Sequence, residues 1–104
     1  MSELKWHRAG SLSEINQDQP LSVNIEGNQI GIYQVDNQYY ALEDVCPHAY
    51  AILTEGFVDG CEIECPLHAA VFDITNGKLQ DGPADRDLQT YPVKVEGEDL
   101  MVQA

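Results

Sequence analysis

Cysteine and histidine recur twice in one pattern, Cys46-Pro47-His48 and, after residues 49–64, Cys65-Pro66-Leu67-His68. Two thiols and two imidazoles are a soft-to-borderline donor set that zinc and iron both accept. Common Cys2His2 zinc modules place both cysteines in one knuckle and both histidines on a helix. Here each segment supplies one of each kind. That division suits a dinuclear iron–sulfur cluster with two cysteines on one iron and two histidines on the other. A structural zinc module is the competing reading. Pro47 and Pro66 remove backbone donors and restrict φ, which favours preformed loops over mobile ones. A third cysteine, Cys61, is left over and reads as a thiol on a strand, with an alternative ligand as the second possibility.

Such loops need a rigid support, and turn signals every eight to twelve residues outline one. Leu21, Val23 and Ile25 alternate with polar residues before Glu26-Gly27-Asn28 turns the chain. Ile30, Ile32, Tyr33 and Val35 run to Asp36-Asn37, and Tyr39-Tyr40-Ala41-Leu42 follows. Asp59-Gly60 between Phe57-Val58 and Glu62-Ile63-Glu64 is a strong hairpin signal, and Asn76-Gly77 is another. Tyr91, Val93 and Val95 alternate, and Gly97-Glu98-Asp99 turns into Leu100, Met101 and Val102. Only Leu12–Ile15 reads as a helical turn, with Ser11 as its cap. The expectation is one all-β domain over residues 1–104, a sandwich or barrel, with the doubled motif in loops between strands. Trp6, Tyr33, Tyr39 and Tyr40 are expected in the core, and His7 on a strand near the surface.

Eighteen acidic residues against five basic ones give a formal charge of −13 over 104 residues. Nucleic acid and anionic membrane surfaces would be repelled, so neither is an expected partner. A basic protein surface is the natural complement, although acidity alone also serves solubility. The longest apolar run, Ala49 to Leu53, is far short of the ~20 residues of a membrane span. Met1-Ser2-Glu3 lacks the basic-then-apolar start of a secretion signal, and the expected location is the cytoplasm. An odd cysteine count argues against a disulfide framework. No nucleophile–base pair is evident, so the chain reads as a carrier, by default a monomer, and not as an enzyme.

The chain resembles the small Rieske-type [2Fe–2S] ferredoxins of bacterial aromatic-ring-hydroxylating dioxygenase systems, such as those acting on naphthalene, biphenyl and carbazole. The resemblance is carried by Cys46-Pro47-His48, by 55–60 (Glu-Gly-Phe-Val-Asp-Gly) and by 63–68 (Ile-Glu-Cys-Pro-Leu-His). Residues 72–78 and 90–96 continue it. It implies a Rieske-type antiparallel β-sandwich or barrel whose two cluster-binding loops project from a small subdomain, about residues 43–84. It also implies that Cys46 and Cys65 bind the inner iron, that His48 and His68 bind the outer one, and that 80–84 form a third covering loop. Ala49 stands where such ferredoxins commonly have glycine.

The Rieske proteins of quinol-oxidising membrane complexes add a disulfide-forming cysteine to each loop, and this chain has Tyr50 and Leu67 there. They also place a serine where this chain has Ala70. Hydrogen bonds to the sulfides stabilise the reduced cluster, so this site is expected near the low end of the ~−150 to +300 mV Rieske range. The implied function is a soluble carrier of single electrons from an NAD(P)H-dependent flavoprotein reductase to a terminal oxygenase. Alternatives are the ferredoxin of a diiron aromatic monooxygenase and the small subunit of an assimilatory nitrite reductase.

Overall fold

The computed structural model describes residues 5–46, 51–67, 69–82 and 86–104. Among the described residues, eleven strands form three antiparallel sheets. The terminal sheet joins β1 (Trp6–Ser11), β11 (Asp99–Gln103) and β10 (Val93–Glu96), in that order. The central sheet runs β2 (Leu21–Ile25), β3 (Asn28–Val35), β4 (Gln38–Glu43) and β9 (Thr90–Tyr91). The third sheet is made of short strands: β5 (Phe57–Asp59), β6 (Glu62–Glu64), β7 (Val71–Asp73) and β8 (Leu79–Asp81).

The hairpins form where the turn chemistry places them. Glu26 and Gly27 both have positive φ between β2 and β3, as do Asp36 and Asn37 between β3 and β4. Two successive left-handed residues match the twist of the flanking strands. Between β5 and β6 the turn is one residue later than Asp59-Gly60, at Gly60-Cys61, so Cys61 is exposed in a turn and not on a strand. Leu12–Glu14 is a single 3-10 turn. Ser11 caps it, its hydroxyl accepting from Ser13 N–H while the Glu14 carboxylate accepts from Ser11 N–H at 2.7 Å.

Two cores lie on the two faces of the central sheet. Ile30, Ile32 and Ala41 face the terminal sheet and pack with Ile15, Ile25, Leu100 and Val102. Tyr33, Val35 and Leu42 point the other way and pack with Ile63, Phe72, Ile74, Leu53 and Leu88. Strand β3 is therefore apolar on both faces, which is why its sequence lacks clean alternation. The apparent strand Tyr91–Val95 divides at Pro92. Tyr91 pairs with Ala41 in the central sheet, whereas Val93 pairs with Val102 in the terminal one. Proline has no N–H for a continuous ladder, and its carbonyl accepts from Gln103 N–H instead.

One core expectation fails. Trp6 lies on the outward side of edge strand β1 and is 37% exposed, with the Lys94 ammonium 4.4 Å from its ring centroid. Tyr33 is buried, and Tyr39 and Tyr40 are partly buried against one core each. His7 is on β1, half-buried.

Candidate metal centre

Everything between β4 and β9 is one excursion from the central sheet. It leaves at Glu43 and returns at Gln89, where Glu43 N–H donates to Gln89 C=O at 2.8 Å. Glu43 also closes this neck with its side chain. Arg86 Nη1 and Nη2 donate to Oε1 and Oε2 at 2.8 and 2.7 Å, and Gln89 N–H donates to Oε1 at 3.0 Å. Burial pushes the Glu43 carboxyl up, but the Arg86 hydrogen bonds, the Gln89 N–H and the Arg86 charge together hold it below its ordinary 4.5.

A carboxyl whose value is lower folded than unfolded contributes stability above the unfolded value and loses it as pH falls through the folded one. Urea unfolding over a pH series should therefore show wild type losing about 1 kcal/mol more than Glu43→Gln on acidification, a modest figure because Arg86 is half exposed. An equal pH dependence in both proteins would refute the contribution.

Inside the excursion, two loops close in the same way. Cys46 N–H donates to Ala51 C=O at 2.9 Å, and Cys65 N–H donates to Ala70 C=O at 2.8 Å. In each loop the bond runs from the cysteine to an alanine five residues on. Cys46 and Cys65 are 2% and 1% exposed, neither forms a disulfide, and both belong to one core with the two alanines.

Second-loop geometry needs special backbone. Ala69 takes a left-handed φ of 58° and donates its N–H to Cys65 C=O at 3.2 Å. Gly82, at φ 101°, lies over this turn so closely that a Cβ there would be 2.5 Å from Ala70 Cα. The described part of the expected third loop, 80–82, thus packs on the second. Pro47, His48, Ala49, Tyr50, His68 and 83–84 lie outside the described residues. Among the described residues no three His, Cys, Asp or Glu side chains form a group able to hold a metal ion.

Two features were not singled out from sequence. One is Asp44, fully buried next to the first loop. Burial pushes its carboxyl above the usual aspartate range, against opposing hydrogen bonds from Ser22, Thr54 and Gln29. Nearby, burial first and the Asp44 charge second raise the phenol of Tyr33, whose buried hydroxyl has no hydrogen-bond partner among the described residues. In sequence Asp44 follows Glu43 and looks like one more surface acid.

The other is the outer face of the third sheet. Strands β5 to β8 contain Asp59, Glu62, Glu64, Asp73 and Asp81 and no lysine or arginine. Asp59, Glu62 and Asp73 stand directly opposite one another across three strands. Phe57 is opposite Glu64 and 64% exposed.

Two buried thiols on matched loops of an all-β scaffold, with imidazoles in the same two segments, define a protein built to grip an inorganic centre between loops. A model of the Rieske [2Fe-2S] domain matches residues 5–92. The ferredoxin component of the naphthalene 1,2-dioxygenase system of Pseudomonas aeruginosa is 40% identical over 98 residues, covering 94% of each chain. The ferredoxin of Sphingomonas yanoikuyae B1 superposes with a TM-score of 0.91 at 30% identity, covering 96% of this chain and 99% of that one. A structure of reduced oxygenase and oxidised ferredoxin in carbazole 1,9a-dioxygenase matches with a TM-score of 0.87 at 33% identity, over 93% and 91% of the two chains.

The chain belongs to the Rieske [2Fe-2S] domain family and, within it, to the ferredoxin components of aromatic-ring dioxygenase systems. The family carries one Rieske-type [2Fe–2S] cluster, and the donor chemistry here fits it: two buried, unbridged thiols flanked by alanines. No described helix is long and apolar enough to cross a membrane.

Proposed function

We propose that Cys46 and His48 from the first loop and Cys65 and His68 from the second hold the cluster, the cysteines on the inner iron and the histidines on the outer. The observation that supports this is the matched Cys-to-Ala closure, which buries both thiols in one core. When bound, the cluster supplies a one-electron couple at which no substrate need bind. The chain's own part is mechanical and electrostatic. Cys46 and Cys65 anchor from the dry side, the stiff Cys-Pro segments keep the loops in one geometry, and the acidic β5–β8 face favours encounter with basic protein rims.

The protein is a ferredoxin, an electron carrier and not an enzyme. It passes single electrons from an NAD(P)H-dependent flavoprotein reductase to the terminal oxygenase of an aromatic-ring dioxygenase system. Support for the oxygenase comes from relatives named as components of such systems and from the carbazole 1,9a-dioxygenase complex of oxygenase with ferredoxin. The chain acts as a single domain over residues 1–104, as a cytoplasmic monomer that docks its partners transiently.

The test is to use the cluster-loaded protein as bait in its host's lysate at low salt. The expected catch is a flavin reductase together with a mononuclear-iron oxygenase, released as salt shortens the Debye length from ~30 Å at 0.01 M to ~8 Å at 0.15 M. A diiron hydroxylase or a sirohaem nitrite reductase in their place would overturn the partner assignment.

A further inference from the structure

The two ligand loops are closed at their tips in the same way but supported differently at their bases. The second is the end of a regular hairpin. Ladder pairs Glu62–Asp73, Ile63–Phe72 and Glu64–Val71 lead straight into Cys65 and Ala70. The first has no such ladder, only the isolated bridge Val45–Ile52 and then a 3-10 turn at Leu53–Glu55. In place of the ladder stands one side chain. Asp44 Oδ1 accepts from Thr54 N–H at 2.8 Å, and Oδ2 accepts from the hydroxyls of Thr54 at 2.9 Å and Ser22 at 2.6 Å. Gln29 Nε2 donates to Ser22 Oγ at 2.7 Å, which holds that hydroxyl in turn. The Asp44 backbone donates to Gln29 C=O at 3.0 Å and accepts from Leu53 N–H at 2.7 Å. β3 makes room for this knot at Gly31, where a Cβ would be 2.7 Å from Thr54 Cγ2 and 3.1 Å from Asp44 Oδ1.

We propose that Asp44 is the positioning residue of the first loop: its carboxylate replaces the missing strand ladder and so fixes where Cys46 meets the cluster. Among the described residues Asp44 is the one charged side chain that is buried. Enclosing a carboxylate is costly, and a loop needing only to be covered would be served by an apolar side chain. A carboxylate supplies two acceptor oxygens in a rigid plane, enough to tie both stems of the loop to β2 at once. The inference rests on Cys46 being a ligand. A Cys46→Ser protein that kept its cluster would remove that premise without bearing on the clamp itself.

The experiment compares cluster-loaded wild type with Asp44→Ala, Asp44→Asn, Thr54→Val and Val102→Ala. The last is a cavity in the other core that lowers the melting temperature without touching the loop. Readouts are the electron paramagnetic resonance spectrum of the reduced protein, its visible circular dichroism, and the rate at which a chelator strips the iron.

Asp44→Ala should alter both spectra and release iron about tenfold faster, the scale on which partners behind metal ligands act. Thr54→Val should do the same to a lesser degree. Asp44→Asn keeps the planar shape but exchanges one acceptor oxygen for a donor, so it should fall between wild type and Asp44→Ala, and Val102→Ala should change neither spectrum nor rate. Wild-type spectra and release in Asp44→Ala would overturn the proposal. So would Val102→Ala matching Asp44→Ala. If Asp44→Ala does not load at all, Thr54→Val decides, and wild-type behaviour there is equally fatal.

Discussion

Cys46→Ser and Cys65→Ser should each yield a colourless protein with no cluster signal and a sharply lowered melting temperature. Two effects combine. Losing one thiolate opens the proposed four-point grip, and metal binding in such a site is coupled to folding, so the binding energy leaves with the cluster. The serine hydroxyl then occupies a position that is 2% or 1% exposed. A hydroxyl is costlier to enclose in an apolar core than a thiol, which behaves as a small hydrophobe. Cys61→Ser is the matched control: exposed in a turn, it should keep the full visible spectrum and shift stability by less than about 0.5 kcal/mol. Visible absorbance, acid-labile sulfide and thermal unfolding together check the result. A loaded Cys65→Ser, or a bleached Cys61→Ser, would show that the ligand set is wrong.

Gly56→Ala should be nearly as damaging, although Gly56 touches no ligand. It ends the 3-10 turn by which the first loop returns, and its Cα presses on the entry to the second. A Cβ there would lie 2.0 Å from Glu64 C=O and 3.0 Å from Pro66 Cδ. The first of these is backbone of β6, which cannot swing aside as a side chain would. Overpacking typically costs about 1–3 kcal/mol and occasionally more, and a backbone obstacle puts this site at the upper end. For a domain of this size that is a fall on the order of 10 °C or more in melting temperature. Because the displaced parts are the stems of both loops, cluster content should fall along with stability. Gly27→Ala separates strain from contact. Its φ is 85° but nothing lies within 4 Å, so it should cost only the ~1–2 kcal/mol of a left-handed residue and leave the cluster loaded. Equal effects at the two glycines would mean that the loop-to-loop contact is unimportant.

Much of the scaffold was legible because its signals are local. Glu26-Gly27, Asp36-Asn37 and Gly97 mark their turns by residue type, and Ser11 marks a cap. The doubled Cys-Pro pattern is equally local. What escaped depends on which elements meet. Tyr91 and Val93 alternate as one strand would, yet they belong to different sheets, and Pro92 marks the division only once two acceptor sheets are known. Trp6 has a core composition but lies on the open side of an edge strand. Asp44 is invisible in an acidic chain because its importance comes from Ser22 and Thr54, far off in sequence. Phe57 and the Asp59–Glu62–Asp73 row share a face only through the register of β5, β6 and β7.

The neck at Glu43 and Gln89 has a consequence for how the protein is made. Both ends of the excursion sit on adjacent positions of the central sheet, Leu42 opposite Thr90 and Ala41 opposite Tyr91. Among the described residues, the core between the central and terminal sheets contains neither Cys46 nor Cys65. The excursion is thus an insert with closed ends, and it also covers the second face of the central sheet, where Tyr33, Val35 and Leu42 pack with Leu53, Ile63 and Phe72. Loading with iron and sulfide therefore bears unequally on the two cores: the one around Cys46 and Cys65 is tied to it, and the one beneath the terminal sheet is not built on either thiol.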